Sequence, residues 1–232
     1  AIVQLPPAHP TVQLACLQVT GACSHTLCSR LTNVSVAAYS EPLAQRGGPV
    51  LSQLFAYVLG ALSAALSQSA VLQIAASQAL LSMCTHCRPL LSSQEEAMDT
   101  VLEAYTVISE GGLLPVRSNM SHVVAAFASA FPPEDAGAFV FSAFEVHFSV
   151  VGELMDLAPS VELEARASHE LRCMRWLFKH VALEAPGLDL KPVARSIFSA
   201  ICGIAEKWTK HAAVMHEACL LLRWMFAGVR SN

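Results

Sequence analysis

Charged residues are scarce in this sequence, and their scarcity narrows both the fold and the class of function. Asp, Glu, Lys and Arg make up 14% of the 232 residues, against roughly a quarter in an average soluble domain. None of the four occurs between Gly47 and Cys87. The apolar content of 54% therefore predicts either helices that are buried on several sides or helices that lie in lipid.

The uncharged run is long enough to cross a bilayer, which takes about 20 apolar residues. However, serine and glutamine interrupt it repeatedly between Ser52 and Ser82, and they fall largely on one helical side. No cluster of Lys and Arg and no aromatic belt flanks the run. We therefore predict a buried helical array without membrane insertion, and a multi-pass helical membrane protein is the remote alternative.

Signatures of several other functions are missing as well. The formal net charge is −4, and the Lys and Arg residues are scattered, so the chain lacks the basic face that nucleic-acid binding requires. There is no GxSxG motif, no Ser/His/Asp order and no glycine-rich phosphate loop after a strand. We predict no direct nucleic-acid binding and no enzyme, with no catalytic residue, cofactor or metal.

The eight cysteines are interpreted as packing residues rather than as a disulfide framework. A free cysteine behaves as a small hydrophobe, and six occupy apolar helical positions: Cys16, Cys23, Cys84, Cys173, Cys202 and Cys219. A reducing compartment is the simpler expectation. Cys84 and Cys87 form a CxxC, but no second CxxC or HxxxH lies nearby, whereas zinc needs three or four ligands. Core packing is therefore predicted for this pair.

The helical pattern is clearest between Gln68 and Glu110, which reads as a helical hairpin. In its first helix, apolar residues recur every three to four positions at Leu72, Ala75, Ala76, Ala79, Leu80, Met83 and Cys87. Arg88-Pro89 is expected to end that helix. Ser93 and Glu96 have the spacing of a capping box, and the second helix is expected to bury Val101, Ala104, Tyr105 and Ile108.

Similar helices recur along the chain. Alternate helices are predicted to start near Thr11, Ser69, Pro115, Ser160 and His211, and these intervals scatter around the roughly 40–47 residues of two-helix HEAT-type repeats. The longer first interval is assigned to a connection over 29–48. The first helix is expected to bury the stripe Val12, Ala15, Cys16, Val19, Cys23 and Leu27.

We therefore predict an all-α fold, a HEAT-type helical-hairpin repeat solenoid with a right-handed superhelix. It is a single array over 1–232, with hairpins at roughly 11–66, 69–110, 115–157 and 160–208 and a partial one at 211–232. In a solenoid each hairpin covers the apolar faces of its neighbours. The opening AIVQLPPAHP, without an initiator Met, leads us to expect a piece of a longer solenoid.

Four segments resemble a known family in their order and spacing: VQLACLQVTGACSHTL, LFAYVLGALS, AASQALLSMCTHCRPLL and TVLEAYTVISEGGLLPVRSNMSHVVAAFASAFP. They are similar to the middle repeats of karyopherin-β nuclear transport receptors, most of all the transportin-3/importin-13 branch. The resemblance covers roughly 12–133, about half of the chain. It implies a central portion of a longer receptor, with the Ran-binding repeats outside this chain.

One acidic stripe follows the second helix of the hairpin. Glu95, Asp99 and Glu103 are spaced four residues apart, with Glu96 beside them, so they share one helical side. In karyopherins the second helix of each repeat lines the concave surface, and the resemblance implies that these carboxylates bind a basic, Arg-rich cargo. The alternative is an ordinary solvated helix face.

The function expected from these patterns is that of a protein-binding helical-repeat segment. The resemblance specifies a nuclear transport receptor that holds cargo proteins on its concave face, located in cytoplasm and nucleus, with Ran GTPase acting through parts outside this chain. A HEAT-repeat scaffold subunit of a large multiprotein assembly remains the alternative. Ran dependence distinguishes these two classes.

Overall fold

The chain is all-α, as the periodicity of its apolar residues predicts. The computed structural model describes residues 9–33, 40–65, 69–91 and 97–230, and these residues contain no strand. The helices are α1 (Pro10–Asn33), α2 (Ser40–Ala65), α3 (Ala70–His86), the single turn α4 (Arg88–Leu91), α5 (Ala97–Gly111), α6 (Leu114–Ala128), α7 (Pro133–Asp156), α8 (Val161–Glu184), α9 (Lys191–Trp208) and α10 (Ala212–Arg230).

Most helices begin where the sequence places them. Helices α1, α3, α6, α8 and α10 start within one residue of the predicted positions. Prolines fall in the first turns of α6, α7 and α9, where the missing N–H has no helical partner to lose. Ser160 caps α8, because its hydroxyl accepts a hydrogen bond from the backbone N–H of Leu163 at 3.3 Å.

The chain divides into two compact units, Ala1–Ala130 and Phe131–Asn232. In the first unit α3 is the central helix and contacts α1, α2 and α6. All seven residues of its predicted apolar stripe are buried, and so are Gln73, Ser77 and Cys84 on its other sides. Because α3 is enclosed on several sides, charged side chains on it would be buried, which explains why this part of the segment 47–87 contains none. In the second unit α8 packs mainly against α10, and α7 contacts α8 and α9.

The buried face of α1 differs from the prediction. Val12 and Val19 are 47% and 53% exposed, while Leu17, Thr20 and Ser24 are buried. This second stripe faces α3 because its small residues allow a close approach. A methyl group on Gly21 would meet the Ala79 Cα at 3.5 Å.

The α1–α3 contact is also polar. Ser82 Oγ lies 2.8 Å from Ser24 Oγ and donates to Gly21 O at 2.9 Å. Hydrogen bonds between small side chains are typical of helix pairs whose backbones lie close together. The apolar stripe predicted for α1 was therefore wrong, because close backbone packing on α3 selects the small polar stripe instead.

The predicted connection over 29–48 is also wrong in part. Helix α1 continues to Asn33 and α2 begins at Ser40. Pro42 lies in the first turn of α2, where proline is tolerated, and the helix continues through Gly47, Gly48 and Pro49. The predicted capping box of Ser93 and Glu96 lies outside the described residues.

Candidate protein-binding surface

Helix α5 has one firmly buried face. Val101, Ala104, Tyr105 and Ile108 are all buried, as predicted, and the helix contacts α2 and α6. At its C-terminal end, Arg117 of α6 donates from Nε to Gly112 O at 2.5 Å and from Nη2 to Glu110 O at 3.2 Å. A cation at this end also complements the helix dipole. The outward face of α5 is thus presented by a well-anchored helix.

Two of the three predicted binding residues lie on that outward face. Asp99 and Glu103 are exposed and one helical turn apart, or about 6 Å along the axis; Glu95 lies outside the described residues. No ion pair or hydrogen bond involves either carboxylate among the residues that the structure covers. Within the described part of the chain, both carboxylates are therefore exposed and form no ion pair.

The acidic residues of the first unit are concentrated here. Five of the six Asp and Glu residues in 1–130 lie between Glu95 and Glu110. Asp99 has a local structural reason, since it occupies the first turn of α5, where a carboxylate stabilises the positive end of the helix dipole by about 0.3–1 kcal/mol. Glu103 lies beyond the first turn, so the helix dipole does not explain a carboxylate at this position. We call Asp99 and Glu103 the α5 acidic surface; Glu95, the third residue of the predicted stripe, lies outside the described residues.

In the second unit, charged side chains of α8 form pairs with side chains of the neighbouring helices. Glu217 of α10 is buried and accepts from Arg172 Nε at 2.7 Å and from Arg175 Nε at 3.1 Å. A buried carboxylate bridged by two guanidinium groups is well compensated. These contacts hold α8 against α10 and leave Glu217 unavailable to a ligand.

Other α8 carboxylates are also paired. Glu170 lies 2.7 Å from His147 Nδ1 of α7, and both side chains are buried. Glu164 lies 3.0 Å from His211 Nδ1 at the start of α10. Sequence reasoning missed these pairs because the partners are separated by 23 and 47 positions. Only the alternation of acidic and basic residues along α8 could have signalled them.

The CxxC at the end of α3 lies in the core. Cys84 and Cys87 are both buried, and Cys84 is a free thiol, which confirms the predicted packing role for Cys84. Burial raises the pKa of the Cys84 thiol well above its ordinary value, and nearby Arg88 lowers this pKa by a smaller amount. Cys87 is disulfide-bonded, so the interpretation of the cysteines as packing residues rather than disulfide partners was wrong at this position. No group of three or more metal-ligating side chains occurs among the described residues.

The six cysteines predicted to be packing residues are free thiols, but three of them are exposed. Cys84 and Cys173 are buried and Cys16 is half-buried. Cys23, Cys202 and Cys219 are exposed. Helical spacing alone placed them on apolar stripes, whereas the stripes that pack in α1, α9 and α10 run along other residues.

Helix α7 is, within the part of the chain described, the one helix long and apolar enough to cross a membrane by length and composition. The core helix of a soluble protein passes the same test. Glu145 and Glu153 of α7 are exposed, and a carboxylate at the bilayer centre costs several kcal/mol. His147 on the same helix pairs with Glu170 inside the unit. Helix α7 thus combines two exposed carboxylates with a buried pair to α8.

No protein-family model matches the chain, and no curated protein is significantly similar to it. The resemblance to karyopherin-β receptors therefore rests on the four segments given above. The function has to be argued from the surfaces of the molecule itself.

Proposed function

We propose that this chain is a non-catalytic, helical-repeat binding protein that holds a basic, Arg-rich partner on the α5 acidic surface. The observation that supports the proposal is the pair Asp99 and Glu103, which lie exposed, one turn apart and without a cation partner in the described part of the chain. Their helix is fixed from behind by four buried side chains. A rigid support reduces the ordering cost of binding.

Guanidinium is the natural ligand of such a surface. Its planar fork donates two parallel hydrogen bonds to one carboxylate. A single exposed ion pair contributes only about 0.2–1 kcal/mol, so useful affinity needs several arginines bound side by side. Binding is then expected to weaken as salt shortens the Debye length below about 10 Å.

The finer form of the proposal is a HEAT-type solenoid with a right-handed superhelix, built as a single array. It is supported by the regular helix starts and by α3, which is enclosed on several sides as an inner repeat helix is. The predicted hairpin over 115–157 spans the division between the two units.

The resemblance to karyopherin-β receptors supports the proposal that the partner is a cargo protein in nuclear transport, and that Ran acts through parts outside this chain. A scaffold subunit of a large assembly is the second candidate. Release of the basic partner by GTP-bound Ran from the longer protein would support the receptor. Partner binding that is indifferent to Ran would support the scaffold.

Location in cytoplasm and nucleus is part of the same proposal, and Cys87 provides a test of it. Disulfides are rare in the cytosol and nucleus because thiols are kept reduced there. Alkylation of the cellular protein before reduction, followed by mass spectrometry, reports the state of Cys87. A free thiol at Cys87 agrees with the proposed location, and a disulfide in the cellular protein speaks against it.

The direct test is the affinity for a fluorescein-labelled peptide of about nine arginines, measured by fluorescence anisotropy with the full chain. Reversing the predicted stripe with Glu95→Lys, Asp99→Lys and Glu103→Lys is expected to weaken binding more than about tenfold, or about 1.4 kcal/mol. The physical reason is that attraction becomes repulsion at every site.

A matched control reverses three other exposed carboxylates, Glu145→Lys, Glu162→Lys and Glu206→Lys. It changes the net charge equally, and Glu162, like Asp99, lies in the first turn of its helix. Thermal melts should show that both variants remain folded. Equal weakening in the two variants, or none in the first, would remove the α5 acidic surface as the binding site.

A further inference from the structure

Helices α9 and α10 of the second unit form an open cleft with a volume of about 470 Å³. Its walls are mostly apolar, but two cations stand on the α9 side. The lining residues are Lys191, Ala194, Arg195, Phe198, Met225 and Phe226. No part of the function proposed above uses this cleft.

The aromatic residues of the cleft are unusually exposed. Phe198 is 50% and Phe226 62% accessible to solvent, although phenylalanine is among the residues most often buried. The opposite face of α9 is fully engaged, since Val193, Ile197 and Ile201 are buried in the unit. Helix α9 is therefore held in the unit by its buried side chains and not by Phe198 or Phe226. Exposed apolar side chains in a recess are typical of a binding site.

The cations follow the same side of α9. Lys191, Arg195 and Phe198 are spaced four and three residues apart, so they line two turns, or about 10 Å. Lys191 and Arg195 are exposed, and no carboxylate among the described residues pairs with their side chains. This differs from Arg166, Arg172 and Arg175 of α8, which are all paired. The cleft thus combines an apolar floor with two exposed cations that form no side-chain ion pair within the described residues; the carboxylate of Asp189 lies beside Lys191, where it accepts from the backbone N–H at 3.1 Å.

We infer that the α9–α10 cleft binds an acidic amphipathic helix of a partner protein. Two bulky apolar side chains one turn apart on that helix would enter the cleft against Phe198 and Phe226, and an adjacent Asp or Glu would pair with Arg195 and Lys191. Grooves between helices recognise amphipathic helices through anchors at i, i+3 or i+4. The two-turn length of the site matches two such anchors, and its charge selects an acidic flank.

Two other occupants fit the observations less well. An anionic membrane would meet the cations, but a recess of this volume suits side chains that insert rather than a flat lipid surface. A second copy of the chain would have to offer an acidic apolar helix. Among the described residues of its acidic helices, α5 exposes Val107 and α7 exposes Met155 as single large apolar side chains, and α8 exposes Val161 and Leu183 at its opposite ends. None of the three helices offers two anchors one turn apart.

The inference does not depend on the α5 acidic surface, because the two sites lie in different units and prefer opposite charges. The test uses a fluorescein-labelled helical peptide of about five turns, with Phe and Leu anchors one turn apart and Glu beside them. A second peptide replaces each Glu by Lys, and a third replaces both anchors by Ala. Anisotropy with the full 232-residue chain is expected to show binding of the first peptide at least about tenfold tighter than of the other two.

Protein variants locate the binding. Phe198→Ala and Arg195→Glu are each expected to weaken binding of the acidic peptide by about tenfold or more. Val161→Ala and Lys210→Glu are the matched controls. Val161 is exposed at the start of α8, and Lys210 lies just after the C-terminal end of α9, whereas Lys191 lies at its N-terminal end. Both controls should bind the acidic peptide within about twofold of the wild type. All four positions are exposed or half-exposed, so circular dichroism melts should be unchanged.

Several results would overturn the inference. One is equal binding of the acidic and basic peptides, and another is unchanged binding in Phe198→Ala or Arg195→Glu. A third is binding to vesicles of anionic phospholipid that Phe198→Ala abolishes while no peptide binds. A fourth is a dimer in sedimentation velocity that Phe198→Ala dissociates, which would assign the cleft to a second copy of the chain.

Discussion

His147 of α7 and Glu170 of α8 form a buried pair, with His147 Nδ1 2.7 Å from the Glu170 carboxylate. The side chain of His147 is fully enclosed and that of Glu170 nearly so. Each of these polar groups is withdrawn from water, and the hydrogen bond between them replaces one that each would otherwise make to solvent. The pair therefore fixes the contact between α7 and α8.

Removing one member of this pair is expected to be costly. Glu170→Ala or His147→Ala should lower the free energy of unfolding by about 3–5 kcal/mol, because the remaining group stays buried and loses this hydrogen bond. The double variant should cost less than the sum of the two, by about 1 kcal/mol or more. Urea unfolding of the three variants measures the coupling, and strict additivity would mean that the two groups do not interact.

Glu217 is expected to contribute more to stability than a carboxylate in an exposed ion pair. It is buried and compensates both Arg172 and Arg175, so Glu217→Gln leaves two guanidinium groups side by side and should cost about 2–4 kcal/mol. The control is Glu153→Gln, which breaks the exposed pair with Arg166 and should cost less than about 1 kcal/mol. Denaturant unfolding gives both values, and equal costs would contradict the bridging role of Glu217.

Because α1 lies close to α3, a small and a large substitution at Gly21 are expected to change the stability in opposite directions. A methyl group there meets Ala79 at ordinary contact distances of 3.5 and 3.8 Å, so Gly21→Ala should stabilise the protein by about 0.5–1 kcal/mol through helix propensity. Gly21→Leu should destabilise it by about 1–3 kcal/mol because the larger side chain separates the helices.

Gly60 of α2 is the control for this pair of substitutions. Nothing lies within 4 Å of a Cβ built at Gly60, so both Ala and Leu should be tolerated there. Thermal or urea unfolding would show the difference. Stabilisation by Gly21→Leu would indicate that α1 does not pack closely on α3.

Cys84 should make stability fall in alkaline solution. Burial raises the pKa of its thiol above the ordinary value of 9.0, so above pH 9 the unfolded chain releases a proton that the folded chain keeps. The contribution of Cys84 is therefore intact below pH 9 and is lost above it, by about 1.4 kcal/mol per pH unit. Urea unfolding between about pH 8 and 11 measures this slope.

The comparison for this pH dependence is Cys84→Ala, which lowers stability below pH 9 because it leaves a cavity. It removes the titration of Cys84 while other alkaline groups remain. The difference in unfolding free energy between the two proteins should therefore shrink above pH 9. Parallel curves for the two proteins would show that the thiol ionises equally in both states.

The local elements of this protein were accessible from sequence because they depend on local chemistry. The buried stripe of α3, the first-turn prolines and the Ser160 cap all follow from spacing and from the backbone groups that each residue offers. Asp99 and Glu103 could be placed on an exposed side for the same reason. The cleft between α9 and α10 could not, because it is formed by residues of two helices whose contact the periodicity does not specify.

The sequence by itself determined that the chain is helical, where most helices begin, and that a segment without charge would lie in the interior. Only the tertiary structure decided which of two stripes on α1 packs, and which cation meets Glu217. Helical periodicity shows which residues share a face but not which of two faces packs. The close approach of Gly21 to Ala79 and the Ser24–Ser82 contact decide this for α1. The pairs of α8 likewise exist only because α7 and α10 bring distant residues within hydrogen-bonding distance.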